Sequence, residues 1–252
     1  MSQQILLSIG AVGMALGALA IFVSGRSGRR EDNHHFTVSF FVCLIAFASY
    51  FAMAAGQGDT QVGERTIYFA RYVDWLFTTP LLLLGLLLIA LPRVGSGGDG
   101  RGRAGLVGGV IGADVFMILT GLIASLSSSE VTRYTWYAIS CGAFLAVLAL
   151  IYGPVRAAAS AQGDQVSALF ARLAAVLTVL WFVYPVLWLL GTEGLGVIGL
   201  TGEVLVFTVI DLAAKVGFGL LLVAGVKHLA VGPAAAIPAT NAGRSSEPVG
   251  AR

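Results

Sequence analysis

The sequence has little charge and few cysteines. Asp, Glu, Lys and Arg make up 11% of its 252 residues and 57% are hydrophobic, whereas soluble domains carry about 25% charged residues. An ordinary soluble domain is therefore excluded. The two cysteines, Cys43 and Cys141, both fall inside apolar runs, which excludes a disulfide framework. The formal net charge of +2 does not indicate a nucleic-acid surface, so no nucleic-acid partner is expected.

Long apolar runs dominate the chain instead. Runs of about 20 residues cross a bilayer core of about 30 Å, and the sequence has seven, at roughly 4–24, 36–56, 67–91, 105–126, 134–153, 169–190 and 200–225. They show little alternation of period two, which favours helices over barrel strands. The predicted fold class is an all-α membrane protein, a seven-transmembrane helix bundle in contact with the lipid of the cell (inner) membrane.

Basic residues between and beside the spans predict the orientation, because short cytoplasmic loops are enriched in Lys and Arg. One side carries Arg26, Arg29, Arg30, Arg93, Arg101, Arg103, Arg156, Arg172 and Lys227, and the other carries Arg65 and Arg133. The amino terminus is therefore expected outside. The first span lacks a basic start and a small-residue cleavage site, so it is interpreted as a mature helix.

Composition also predicts how the rest of the chain is organised. Residues 1–231 are expected to form one transmembrane domain, and residues 232–252, rich in Pro, Ala, Gly and Ser, a disordered cytoplasmic tail. The Gly- and Arg-rich segment 92–105 is predicted to be a mobile loop. No metal site is expected.

Lys215 lies inside the seventh span, where a charged amine is costly. An isolated cation at bilayer depth costs about 3 kcal/mol or more, so an intramembrane lysine indicates a functional site. Asp211 precedes it by four residues, which places the carboxylate and the amine on one face of a helix. A salt bridge between helices without any ligand is the structural alternative.

The third span carries a second polar group. Arg71, Asp74, Thr78 and Leu82 fall on one helical stripe, which is expected to face protein rather than lipid. If the third and seventh helices pack together, Asp74 and Asp211 flank Lys215, and Arg71 offsets the excess negative charge from the outer side.

Aromatic residues in the sixth span complete the predicted site. Trp181, Tyr184, Pro185 and Trp188 recur at helical spacing. Trp188 could instead belong to an interfacial aromatic belt. Rings from the third and sixth helices around a buried lysine predict an apolar slot for a long, flat, conjugated ligand attached through the amine.

These segments resemble the microbial (type I) rhodopsin family, and in particular its light-driven proton pumps. The resemblance is closest over residues 70–84, with its Arg-Tyr-x-Asp-Trp-Leu-Phe-Thr-Thr-Pro string, over 181–194 and over 211–219. It implies all-trans retinal joined covalently to Lys215 as a protonated Schiff base. It further implies that Asp74 is the primary counterion and proton acceptor and that Asp211 is the second counterion.

The same resemblance implies roles for further residues. Tyr50 is expected to form a hydrogen bond near Asp211, and Asp114 to be a protonated acid buried between helices. Glu193 and Glu203 are expected to be the outer pair that releases the proton, as Arg71 moves toward them; ordinary solvated acids are the alternative. The retinal slot is expected to include Trp75, Thr79, Leu82, Met117, Gly121, Tyr137, Ser140, Cys141, Trp181, Tyr184, Pro185, Trp188 and Ala214.

One position departs from the family pattern. Eleven residues after Asp74, about 16 Å along the helix, the pumps often have a carboxylic proton donor, and this chain has Gly85, which makes the motif Asp74, Thr78, Gly85. His34 and His35, at the cytoplasmic start of the second span, are candidate substitutes because imidazole titrates near neutral pH. Their alternative interpretation is as solvated or interfacial residues.

The resemblance implies a light-driven outward proton pump, a transporter rather than an enzyme, and a homo-oligomer, either a trimer or a pentamer. A chloride pump is disfavoured because the carboxylate of Asp74 occupies the anion site. The alternative is a sensory rhodopsin with a slow photocycle, for which the missing donor at Gly85 is suited; only that alternative includes a transducer protein as partner. A transporter that binds no retinal is a third hypothesis.

Overall fold

The computed structural model describes residues 2–26, 33–91 and 100–231. The predicted tail at 232–252 and residues 92–99 of the predicted mobile loop lie outside the described residues. Within the described residues, seven apolar helices are long enough to cross a membrane, which confirms the predicted fold class. The orientation of the bundle stays a prediction.

Nine α-helical segments build these seven spans. Two of the spans each contain a π-helical turn, at Ile151–Val155 between α5 and α6 and at Ala213–Gly217 between α8 and α9. The segments are α1 (Gln3–Gly25), α2 (Asn33–Ala54), α3 (Phe69–Ala90), α4 (Gly100–Leu126), α5 (Glu130–Leu150), α6 (Arg156–Ser160), α7 (Asp164–Leu190), α8 (Leu200–Leu212) and α9 (Phe218–Val231).

Several helices extend beyond the apolar runs that predicted them. α7 begins at Asp164, and α4 begins at Gly100, within the segment predicted to be a mobile loop. That prediction is wrong for residues 100–105. A helix closes its own backbone hydrogen bonds, so it continues through the polar interface, where charged side chains are solvated and hydropathy no longer marks its end.

A two-stranded hairpin between α2 and α3 was not predicted. Strand β1 (Thr60–Val62) pairs antiparallel with β2 (Arg65–Ile67), and Gly63, with φ of 63°, forms the tight turn. Gly58, with φ of 77°, lies so close to α3 that a Cβ there would be 2.4 Å from Ala70 Cβ. Three-residue strands carry too short a pattern to be read from sequence.

The helices pack side by side, and contacts between α1 and α8 close the bundle. α3 contacts α7 and α9, so the third and seventh spans meet as predicted. Arg71, Asp74, Thr78 and Leu82 are all buried, which confirms that their stripe faces protein. We call the end of the bundle that carries β1, β2 and residues 191–199 the hairpin end, and the other end the opposite end; by the predicted orientation, the hairpin end is outside.

Candidate functional site

Lys215 ends between two carboxylates in the middle of the bundle. Its Nζ lies 3.2 Å from Asp74 Oδ2 on α3 and forms a short hydrogen bond with Asp211 Oδ1 one turn earlier. All three side chains are at most 2% exposed. A buried cation with two buried anions is costly unless further groups solvate the charges, so the surrounding donors decide what this group can do.

The two carboxylates differ sharply in their hydrogen bonds. Asp211 accepts from Tyr50 Oη at 2.7 Å, from Tyr184 Oη at 2.8 Å and from Trp75 Nε1 at 3.4 Å, in addition to Lys215. Asp74 has its ion pair with Lys215, but among the described residues neither of its oxygens has a well-aligned hydrogen-bond donor. The negative charge is therefore better stabilised on Asp211 than on Asp74.

The helices position this group by local departures from regular geometry. Lys215 lies within the π-helical turn Ala213–Gly217, and such single turns are frequent at functional sites. In α3, Thr78 Oγ1 donates to the backbone oxygen of Asp74 at 2.9 Å. Pro80, inside the same helix, removes one backbone hydrogen bond.

A cavity extends from Lys215 between α3, α4, α5 and α7. Its empty space is about 780 Å³ including the part that opens to the outside, within the range of about 300–1,000 Å³ for cofactor pockets. Tyr137 stacks on Trp188 with ring centroids 4.4 Å apart and planes 10° apart, which gives the cavity a flat wall. All the residues predicted for the slot line it: Trp75, Thr79, Leu82, Met117, Gly121, Tyr137, Ser140, Cys141, Trp181, Tyr184, Pro185, Trp188 and Ala214.

Sequence reasoning missed three lining residues, Tyr72, Ile118 and Phe144. Tyr72 precedes Trp75 by three residues and Thr79 by seven, so the helical period of α3 carried a signal for it. Trp188 is 5% exposed and lines the cavity. The alternative that it belongs to an interfacial belt is therefore wrong.

Arg71 points away from the Lys215 group, toward the hairpin end. Its Nη1 bonds Glu203 Oε1 at 3.0 Å, and its guanidinium lies 4.0 Å from the centre of the Phe207 ring. The expectation that Arg71 offsets the charge beside Asp74 is corrected in this respect. Lys215 already neutralises Asp74, whereas Glu203 is a buried carboxylate that would otherwise lack a cation.

Glu193 and Glu203 are both buried, at 2% and 1% exposure, but they have separate partners. Glu203 Oε2 accepts from the backbone N of Thr192 at 2.8 Å and from its Oγ1 at 2.7 Å. Glu193 Oε2 accepts from Ser125 Oγ at 2.6 Å and from Tyr72 Oη. Solvated surface acids, the alternative interpretation, are excluded by this burial.

The pKa of Glu193, in the loop after α7, is raised above its ordinary value. Burial is the main cause and the negative charge of Glu203 adds to it, while Arg71 and the bonds from Ser125 and Tyr72 act in the opposite direction. Glu203 therefore has the features of the ionised partner of Arg71, and Glu193 those of a carboxyl that holds a proton.

Asp114 on α4 is fully buried beside the cavity. Its Oδ2 accepts a hydrogen bond of 2.8 Å from Thr79 Oγ1, which also donates to the backbone oxygen of Trp75 at 2.8 Å. Its partner is thus a neutral hydroxyl on the neighbouring helix, as a protonated acid between helices would have.

Toward the opposite end, the α3 stripe is apolar. A Cβ on Gly85 would lie 3.0 Å from Leu222 Cδ2 and 4.0 Å from Val38 Cγ1. His34 and His35 lie one helical turn before Val38 on α2. His35 is buried and His34 exposed, and their ring centroids are 4.4 Å apart. His35 is therefore not a solvated residue.

Comparison with known proteins agrees with this architecture. The model of the family described as bacteriorhodopsin-like protein matches residues 1–229. The chain belongs to the bacteriorhodopsin-like family. It is 47% identical to a bacteriorhodopsin of Haloterrigena sp. over 226 residues, which are 87% of this chain and 86% of the relative.

Solved structures of microbial rhodopsins extend the likeness. The thermophilic rhodopsin of Rubrobacter xylanophilus is 40% identical, with a TM-score of 0.85 over 90% of this chain and 97% of that one. The light-driven proton pump of Coccomyxa subellipsoidea is 35% identical, with a TM-score of 0.80 over 88% and 96%. This bacteriorhodopsin-like protein is thus a multi-pass protein of the cell membrane.

Proposed function

We propose that the protein is a light-driven outward proton pump that uses all-trans retinal bound covalently to Lys215. The observation that carries the proposal is the buried amine between two carboxylates of unequal hydrogen bonding, at the end of an aromatic cavity. The relatives support it, since they include proteins named bacteriorhodopsin and a light-driven proton pump.

The residues present fit retinal. Lys215 Nζ reaches the cavity, its two counterions suit a cationic linkage, and the stacked Tyr137 and Trp188 rings suit a flat polyene. When bound as an imine of Lys215, retinal supplies a light-induced change of geometry that lowers the proton affinity of the nitrogen.

Asp74 is the acceptor in this proposal. Asp211 is held as an anion by the hydroxyls of Tyr50 and Tyr184 and by the Trp75 indole, so protonating it would sacrifice several hydrogen bonds. Asp74 loses only its ion pair with Lys215 when it takes up the proton. The side chain with fewer donors therefore receives the proton.

Glu193 releases the proton to the outside. Glu203 is already the ionised partner of Arg71, so a second ionised carboxyl close to it is disfavoured and Glu193 remains protonated in the dark. Once Asp74 is neutral, the Arg71 cation is attracted more strongly to the two outer acids. Its approach favours ionisation of Glu193 and release of the proton at the hairpin end.

The nitrogen must be reprotonated from the opposite end, where Gly85 supplies no carboxyl. His35, one turn from Val38 and buried beside His34, is the proposed route for that proton. The charge state of a histidine changes near neutral pH, so this step is expected to slow as pH rises.

The test is illumination of cells that express the protein with added retinal in unbuffered medium. Acidification that a protonophore abolishes is expected for the parent. Asp74→Asn is expected to abolish it, whereas Asp114→Asn, the same exchange at a buried acid outside the proposed path, retains it. A coloured protein with a photocycle but no pH change would instead support the sensory alternative, which Gly85 favours, and colourless protein would exclude both.

A further inference from the structure

Ser125, near the end of α4, connects the cavity wall to Glu193. Its side chain is fully buried, and its Oγ lies 2.8 Å from Trp188 Nε1 and 2.6 Å from Glu193 Oε2. Tyr72 Oη contacts the same two atoms, Ser125 Oγ and Glu193 Oε2. Because Trp188 and Tyr72 also line the cavity, one hydroxyl joins two walls of the ligand site to an outer carboxyl.

The direction of these hydrogen bonds follows from the chemistry of the donors. An indole N–H can only donate, so Ser125 Oγ accepts from Trp188. Its single proton is left for Glu193, with the backbone oxygen of Gly121, at 3.1 Å, as the competing acceptor. A hydroxyl that accepts from an N–H becomes a better donor, because hydrogen bonds in a chain polarise one another.

Arg65 in β2 holds the backbones that carry this hydroxyl and this carboxyl. Its Nη1 donates to the backbone oxygens of Ser125 at 3.4 Å and Glu193 at 3.2 Å, and its Nη2 to that of Ser127 at 2.7 Å. The hairpin thus clamps the end of α4 to the loop after α7. The distance from Ser125 Oγ to Glu193 Oε2 is therefore set by the fold rather than by chance side-chain positions.

We propose that Ser125 is a positioning residue for proton release, which rests on the proposed function. Its hydroxyl stabilises the Glu193 carboxylate that remains after the proton has left. Because Trp188 lines the cavity, a movement of that wall changes the hydrogen bond from Trp188 to Ser125, and with it the donation from Ser125 to Glu193. The cavity and the release group are in this way coupled through two hydrogen bonds.

The charged groups around Glu193 set the background for this effect. Arg71 on α3 and Glu203 on α8 act on it in opposite directions, and Tyr72 donates beside Ser125. Arg65 faces it from β2, with Arg133 and Tyr134 of α5 behind Arg65. None of these groups is altered when Ser125 is replaced, so a change can be assigned to the hydroxyl.

The experiment follows the timing of proton release in retinal-loaded protein with a pH-indicator dye across a pH series. In the parent, release before uptake is expected only above a midpoint pH. Ser125→Ala removes a donor to the carboxylate and is expected to raise that midpoint by about one to two pH units. Ser125→Thr, which keeps a hydroxyl, is expected to restore it toward the parent value.

Ser127→Ala is the matched control, because its hydroxyl bonds only the backbone oxygen of Ile123 among the described residues. A second readout, the indole N–H signal of Trp188 in ultraviolet Raman spectra, is expected to weaken in Ser125→Ala and not in Ser127→Ala, with Trp188→Phe assigning the band. Formation of normal colour with retinal shows that each variant folds.

The outcomes separate this inference from the proposed function. A parent without any light-driven pH change overturns the proposed function and this inference together. A pumping parent whose release midpoint is the same in Ser125→Ala, or moves equally in Ser127→Ala, overturns this inference alone.

Discussion

Gly191 lies directly against the carboxylate of Glu203. A Cβ on residue 191 would be 2.7 Å from Glu203 Oε2 and 2.8 Å from the backbone oxygen of Leu187, closer than real Cβ contacts. This close approach lets the backbone N of Thr192 reach Glu203 Oε2 at 2.8 Å. The glycine that ends α7 is thus a condition for the way Glu203 is held.

We expect Gly191→Ala to displace Glu203 and weaken its ion pair with Arg71. Overpacking of this kind destabilises by about 1–3 kcal/mol, measurable as a lower temperature of thermal bleaching, and proton release should slow. Gly199→Ala is the control, since a Cβ there would have no neighbour within 4 Å. Equal effects of the two substitutions would contradict the contact argument.

Glu193 should make stability depend on pH in a defined direction. Its pKa in the folded protein is raised above the ordinary 4.5, mainly by burial. Above pH 4.5 the unfolded chain loses this proton first, so stability should fall as pH rises from there to the raised pKa and then level off. The melting temperature of the parent and of Glu193→Gln, followed against pH, should diverge in this window. Parallel curves would show that Glu193 carries no raised pKa.

Gly85→Asp should restore a carboxylic donor at the position where the resemblance places one. Recovery of the dark state is expected to become faster and less dependent on pH, as flash photolysis would show. The new Cβ would lie 3.0 Å from the flexible end of Leu222, so a modest loss of stability is also expected. Gly85→Ala makes the same contact without the carboxyl. If it speeds recovery equally, the missing donor does not limit the cycle.

The hydrogen bond from Thr79 to Asp114 should stabilise the contact between α3 and α4. Thr79→Val keeps the shape of the side chain but leaves a buried acid without its donor, which costs about 1–3 kcal/mol. We expect earlier thermal bleaching for Thr79→Val and no further loss when Asp114→Leu is added. Independent, additive effects in this double-mutant cycle would exclude the bond as a stabilising contact.

Patterns of a single kind of residue were sufficient for the architecture. The apolar runs predicted the spans, and the four-residue spacing of Asp211 and Lys215 predicted that their side chains meet, because helical periodicity alone determines which residues share a face. The same periodicity placed Trp181 and Tyr184 in the cavity wall. The β-hairpin was missed because three-residue strands have no period to detect.

Other features depend on contacts between residues far apart in the chain. Nothing near Arg71 in sequence indicates that it pairs with Glu203 rather than Asp74, and nothing near Ser125 indicates that it bonds Glu193. Both choices depend on which helix ends and loops the bundle brings within about 3 Å of each other.

The sequence by itself determined that seven helices cross a membrane and that a buried lysine has two acids within reach, since hydropathy and helical spacing are local properties. Only the tertiary structure decided that Asp211 is fully hydrogen-bonded and Asp74 is not, and that Glu193 and Glu203 have different partners. Proton affinity in a buried site depends on the donors around each carboxyl, and those donors come from other helices.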